Sequence, residues 1–155
     1  MCFICGLDNP VGFRAPFYNM EDGSVATPVL FKTEHQSFPG RVHGGLIATM
    51  QDELGLRAIW AKKGEGYFGV TMSFEVKFRM PVPYDEPLFG RGVLVRETPR
   101  FAVIDTTLTD TEGRTLSNAE VKYILLPVEK IAEAIDPHEE LCYLIEDGVK
   151  ELKIK

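Results

Sequence analysis

Between Val70 and Met80 apolar and polar residues alternate without a break: Val70, Met72, Phe74, Val76, Phe78 and Met80 against Thr71, Ser73, Glu75, Lys77 and Arg79. A period of two predicts a β-strand with one face on a core, and Pro81 and Pro83 end it. Three further strands are expected at Glu86 to Glu97, Phe101 to Thr109 and Thr115 to Leu126. The last two are joined by a turn from Asp110 to Arg114 that contains Glu112-Gly113. Upstream, Phe13 to Tyr18 reads as a short strand and Ser24 to Glu34 as a longer one, linked through Glu21-Asp22-Gly23. Between these groups the period changes to that of a helix, from Gly45 to Ala61, with Lys62 to Gly66 closing it. His35 to Val42, with Pro39 and Gly40, is the loop that feeds the helix.

Two strands, one helix and four strands predict an α+β architecture: an antiparallel sheet curled around a single central helix, its last four strands forming a meander. The helix is apolar over most of its circumference. One stripe carries Ile47, Met50, Leu54, Ala58 and Ala61; another carries Ala48, Gly55, Leu56 and Ile59, so other structure should wrap it. At 155 residues and 45% apolar content one core is expected, in a domain over 1–127. The tail, 128–155, differs in texture: Ile131, Ile135, Leu141, Leu144 and Ile145 recur at helical spacing among charges. It predicts one or two short amphipathic helices broken at Asp136-Pro137, with a packing or partner role.

The net charge of −6 is spread without a basic block, which makes nucleic acid and anionic membrane poor partners. No apolar run approaches the roughly 18–20 residues of a membrane span, and no basic segment followed by an apolar one opens the chain, so a cytoplasmic protein is expected. Cys2 and Cys5 form a Cys-x-x-Cys pair, with Cys142 the remaining thiol. A structural zinc site needs four ligands and the chain has no second such pair, although a twofold dimer would bring two copies together. The other readings are a redox motif and, ahead of Asp8-Asn9-Pro10, a structural turn, and no metal is assigned.

The candidate chemistry lies in Phe38-Pro39-Gly40-Arg41-Val42-His43-Gly44-Gly45 and the helix that follows. Adjacent glycines leave backbone N–H groups open at a helix N-terminus, where the dipole adds about +0.5 charge and suits a polarised carbonyl oxygen. Asp52 falls in the stripe of Ala48, Gly55, Leu56 and Ile59, a setting expected of a general base or nucleophile; the alternative is an acid that caps or bridges a subunit contact. Glu53 instead lies beside Arg57, its i+4 partner, and reads as half of a helix-surface ion pair. Asp52 stands eight residues beyond Gly44, about 12 Å along a helix, whereas reacting atoms must come within roughly 3–3.5 Å. If both act on one carbonyl, they belong to two subunits.

These residues resemble the 4-hydroxybenzoyl-CoA thioesterase superfamily of hotdog-fold proteins, in particular its phenylacetate-pathway-like branch. The resemblance spans about Cys2 to Pro127. It rests on Cys-Phe-x-Cys-Gly-x-x-Asn-Pro at the start, Phe-Pro-Gly-x-Val-His-Gly-Gly-x-x-Ala-Thr-x-x-Asp around the helix start, and the closing strand Ala119 to Pro127. It implies a dimer whose sheets join edge to edge, often paired again into a tetramer, with active sites at the subunit interface. It further implies Asp52 as general base or nucleophile on a thioester carbonyl, the Gly44 N–H polarising that carbonyl in the other subunit's site, and a Thr71 hydroxyl orienting the water. Thr71 also reads as an ordinary β-branched residue on the polar side of a strand. Many relatives carry Asn or Gln where this chain has Ser37, so Ser37, Gln36, His35 and Gly45 are the candidate substrate-binding group. His43 reads as a structural or carbonyl-orienting residue, with direct proton transfer as the alternative.

The implied activity is hydrolysis of an acyl-CoA thioester, with coenzyme A part of the substrate and no bound cofactor or metal. Arg91, Arg96 and Arg100 are candidate partners for its phosphates. The competing reading is a non-catalytic hotdog module that binds acyl-CoA as a sensor, against which a buried acid beside an acyl chain argues. A hydratase would need an Asp and His pair placed differently around the helix start.

Overall fold

The computed structural model describes residues 2–64, 66–130 and 149–152. One helix, α1 (Gly44–Lys63), packs across an antiparallel sheet of six strands, β1 (Tyr18–Asn19), β2 (Val25–Leu30), β3 (Tyr67–Phe78), β4 (Pro87–Glu97), β5 (Phe101–Asp110) and β6 (Thr115–Pro127). The sheet order is β1-β2-β4-β5-β6-β3. The helices expected after Val128, with Asp136-Pro137 and Cys142, lie outside the described residues beyond a 3-10 turn at Val128–Lys130.

The four-strand meander is corrected to three strands, β4-β5-β6. β3 pairs with β6, and β4 pairs with β2. The segment from Arg79 to Glu86 carries the chain across the sheet, because Pro81 and Pro83 prevent β3 from turning directly into β4. Backbone bonds pin the crossing: Val42 N–H to the Val82 carbonyl at 2.9 Å, Asp85 N–H to that of Phe31 at 2.7 Å, and Arg79 and Met80 N–H to that of Leu116. The strand expected from Phe13 shrinks to Tyr18–Asn19. Arg14 adopts φ 52° and Pro16 lacks an N–H, so Phe13 and Ala15 make single bonds to the Phe3 and Ile4 carbonyls rather than a ladder. β2 stops at Leu30, and Thr33–His35 is a 3-10 turn closed by Lys32 N–H donating to His35 Nδ1 at 2.9 Å.

Two apolar clusters lie along the helix. Ile47 and Met50 pack with Phe31, Val42, Val82 and Leu88 toward its N-terminus; Ala58 and Ile59 pack with Ala102, Ile104, Val121 and Tyr123 toward its C-terminus. Where the helix lies closest to the sheet the contact residues are glycines. A Cβ on Gly92 would fall 2.7 Å from the Leu54 carbonyl, and one on Gly55 would fall 2.1 Å from Tyr123 Oη.

β3 departs most from its pattern. Its register with β6 shifts between Thr71 and Ser73, which makes Met72 an extra residue, a β-bulge. Before the bulge, Gly69 and Thr71 face the helix; after it, Phe74 and Val76 do. The unbroken alternation in the sequence therefore does not map onto one face. β3 is also an edge strand among the described residues, with Val70, Met72 and Phe78, and Met80 just beyond it, exposed at 41–53%.

Candidate active site

His43 is the N-cap of α1. Its Nδ1 accepts the Gly45 N–H at 3.0 Å, and its carbonyl accepts those of Leu46 and Ile47 at 3.0 and 3.3 Å. An Nδ1 that accepts leaves the ring proton on Nε2. Among the described residues the Gly44 N–H is therefore the first-turn amide left open, while the N–H of Gly45, grouped with it from the sequence, is committed to His43. The Phe78 ring stands against Gly44, where a Cβ would meet Cζ at 3.2 Å.

The loop before the helix does not bring its polar side chains into one group. His35 is built into the turn: besides holding Lys32 through Nδ1, it packs at 4.4 Å against the Phe13 ring, and its carbonyl accepts the His43 N–H. Burial holds its imidazole below the ordinary histidine range. Gln36 bridges to Val42, Ser37 N–H bonds the Arg41 carbonyl, and both residues are exposed.

Just over two helical turns beyond Gly44, Asp52 is half-buried rather than sealed in an apolar stripe, and it has polar company. Its Oδ1 accepts the Thr71 hydroxyl at 2.9 Å and lies 3.1 Å from the Tyr123 hydroxyl, which also reaches the Asp52 carbonyl at 2.6 Å. The Met72 bulge is what turns Thr71 inward to make this contact. Gly55, one turn on, leaves room for the Tyr123 ring to come this close. Burial first, then the charge of Asp52 and the bond to it, push the Tyr123 phenol well above its usual range, so it remains a donor. Thr71 holds Oδ1, Tyr123 shares its single proton between that oxygen and the closer Asp52 carbonyl, and among the described residues no hydrogen bond reaches Oδ2.

Tyr123 did not emerge from the motif. The signal was present nonetheless: it shares the core face of the closing strand with Ala119, Val121 and Leu125, and a phenol buried there needs a polar partner.

Glu53 is paired with Arg57 at 3.0 Å, but both side chains are only 14% exposed, so this is not the surface pair expected. The N-terminal turn covers it, and Arg57 lies between the Phe17 and Trp60 rings at 5.1 and 4.7 Å. Burial raises the Glu53 carboxyl, opposed by Arg57. Beside it, a hydrogen bond from Cys5 brings the Cys2 thiol down to about 5, while the same bond and burial push Cys5 up. Arg91, considered for phosphate binding, is already paired with Asp22.

The family model of the thioesterase superfamily matches residues 39–117, just over half the chain, including His43, Gly44, Asp52 and Thr71. The chain belongs to the thioesterase superfamily. Solved structures with the same arrangement include a thioesterase superfamily protein with 26% identity and a TM-score of 0.68, the match covering 75% of this chain and 58% of that one. A hypothetical thioesterase from Streptococcus pneumoniae, crystallised with coenzyme A, shares 21% identity over 78% of this chain and 91% of its own, with a TM-score of 0.66. A thioesterase from Haemophilus influenzae is 12% identical with a TM-score of 0.71, covering 80% and 86%. No curated protein matches. The antiparallel sheet around one long helix is thus the hotdog fold of the thioesterase superfamily. No helix among the described residues of this superfamily member is long and apolar enough to cross a membrane.

Proposed function

We propose that this chain hydrolyses an acyl-CoA thioester to the free acid and coenzyme A. The observation that carries the reading is the Asp52 carboxylate held through Oδ1 by Thr71 and Tyr123, with Oδ2 left free, on a helix whose first open amide is that of Gly44. A carboxylate fixed by the Thr71 hydroxyl, beside a phenol that bridges its side chain and backbone, is pre-oriented for attack or proton abstraction. As general base, Oδ2 takes a proton from water as the water oxygen bonds to the carbonyl carbon. The oxyanion that forms is met by the Gly44 N–H and the positive end of the helix. Collapse breaks the C–S bond, and the departing thiolate of coenzyme A takes up the proton. In the nucleophilic variant Oδ2 itself bonds to the carbonyl carbon, the C–S bond breaks to release coenzyme A, and water then hydrolyses the resulting anhydride to the free acid and regenerated Asp52.

Thr71 donates to the carboxylate directly, so its role in this scheme is to position Asp52, and through it the water. Gly44 and Asp52 of one helix stand about 12 Å apart, and we infer that they serve one substrate from two copies of the chain, in a homodimer or a dimer of dimers. The β3 edge, without a neighbouring strand on that side among the described residues, supports this, since it exposes Val70 and Met72 on the strand that carries Thr71. Gly45 contributes through the cap it makes with His43.

Thiol release from short-chain, long-chain and aromatic acyl-CoAs tests the reading, with Asp52→Asn run in parallel. Turnover that falls at least about 10²-fold in the variant is expected. Tight binding of acyl-CoA without turnover by the parent would instead identify a sensor.

A further inference from the structure

The active-site scheme leaves unused the group formed where the N-terminal turn meets α1. Cys2 Sγ, Cys5 Sγ and a carboxylate oxygen of Glu53 all lie within 4.8 Å of one another, and Cys2 Sγ is 3.9 Å from Glu53 Oε2. A tetrahedral zinc ion with Zn–S near 2.3 Å and Zn–O near 2.1 Å separates its ligand atoms by about 3.6–3.8 Å. The Cys2–Glu53 pair already stands at that separation, and the remaining pairs, within 4.8 Å, need at most about 1 Å of closure to chelate.

The surroundings are built to hold them there. The Gly6 N–H closes the turn on the Cys2 carbonyl at 3.0 Å, and the Ile4 N–H points at Cys2 Sγ at 3.4 Å. Between the two cysteines the Ile4 side chain is buried in the core, which fixes both thiols on the helix side. Glu53 offers one oxygen to Arg57 Nε at 3.0 Å, and the other is the one facing Cys2. An outer residue that grips one oxygen of a carboxylate and aims the other is the usual support of a metal ligand. An i,i+4 ion pair alone accounts for the Arg57 contact but not for two thiols gathered beside the same carboxylate. Charge agrees as well, since two thiolates and a carboxylate balance a divalent ion together with the Arg57 guanidinium.

We propose that Cys2, Cys5 and Glu53 bind one Zn2+ per chain, with water as fourth ligand, clipping the N-terminal turn to the central helix. The mixture of soft sulfur and hard oxygen suits zinc, and each thiol that binds gives up its proton to solvent. From the sequence only the Cys-x-x-Cys pair was visible; the third ligand comes from a residue 48 positions beyond Cys5.

The test uses the full chain, fully reduced, stripped with a chelator and titrated with Co2+ as a spectroscopic stand-in. One equivalent per chain should produce a sulfur-to-cobalt charge-transfer band with tetrahedral visible bands, and Zn2+ should displace both. Cys2→Ser and Cys5→Ser should each weaken binding at least about 100-fold, Glu53→Gln about 10-fold or more with altered visible bands, and Cys142→Ser should leave the spectrum unchanged. Absence of a charge-transfer band in the reduced, folded parent would overturn the proposal. So would a band that survives Cys2→Ser or disappears with Cys142→Ser, or an unchanged affinity in Glu53→Gln. Because the parent titration is decisive alone, a cysteine variant that does not fold does not shelter the idea.

Discussion

Adding one methyl group at Gly55 probes how α1 is seated on the sheet and how Asp52 is held. In Gly55→Ala the new Cβ would fall 2.1 Å from Tyr123 Oη and 2.9 Å from its Cε2 and Cζ. Tyr123 is 1% exposed, so its ring has no open side to swing into, and the helix must lift or the phenol must leave Asp52. Alanine favours the helix over glycine by about 1 kcal/mol. Overpacking a core costs about 1–3 kcal/mol, and losing the hydroxyl donor on a charged carboxylate costs roughly another 1.5–3 kcal/mol. The net expectation is a destabilisation of about 1.5–5 kcal/mol in urea unfolding, with thioester turnover falling alongside. Tyr123→Phe removes the 2.1 Å contact and leaves the two at 2.9 Å, so the same substitution should do less harm in that background, by about 1 kcal/mol or more. A Gly55→Ala protein as stable as the parent, or one whose cost adds to that of Tyr123→Phe within about 0.5 kcal/mol, would refute the proposed seating.

Tyr123→Phe alone should lower kcat about 10- to 100-fold with the fold retained by circular dichroism, because the carboxylate keeps one of its two hydroxyl partners. Thr71→Val should lower kcat with KM little changed, by roughly 1.5–3 kcal/mol in the barrier, while Thr71→Ser should recover most of the rate; a valine variant as fast as the parent would remove Thr71 from the scheme. Met72→Lys on the open edge of β3 should convert the assembly to monomers in sedimentation and abolish turnover together; an active monomer would contradict a site shared between copies.

The helix and the three strands that follow β3 were legible because each rests on a local period and local punctuation: glycines and lysines closing α1, Glu112-Gly113 turning β5 into β6. The place of β3 was not. A clean alternation of eleven residues carries no trace of the bulge at Met72, since the extra residue is itself apolar and keeps the count even. That one residue decides whether Thr71 faces solvent with Ser73 and Glu75 or faces Asp52. Nor does the pattern say that Pro81 and Pro83 begin a crossing rather than a tight turn. The helix start was readable as a potential carbonyl site, but the division of labour between Gly44 and Gly45 depends on where the His43 ring points. Local spacing is equally silent on Cys2 and Glu53, whose meeting depends on how the N-terminal turn folds back over the helix.

The ladder of β3 has a consequence for how the protein is made. Among the described strands its hydrogen-bonded neighbour is β6, with Thr71 opposite Tyr123. Asp52 and Thr71 leave the ribosome within moments of one another, yet the strand that fixes their approach is the last of the six to be synthesised. Until β6 has emerged, the long apolar stretch of β3 has no partner in its own chain, and pairing across so many residues is slow to find. A nascent chain stalled before Thr115 would therefore carry a finished motif without the carboxylate clasp, and a sticky strand that chaperones must shield.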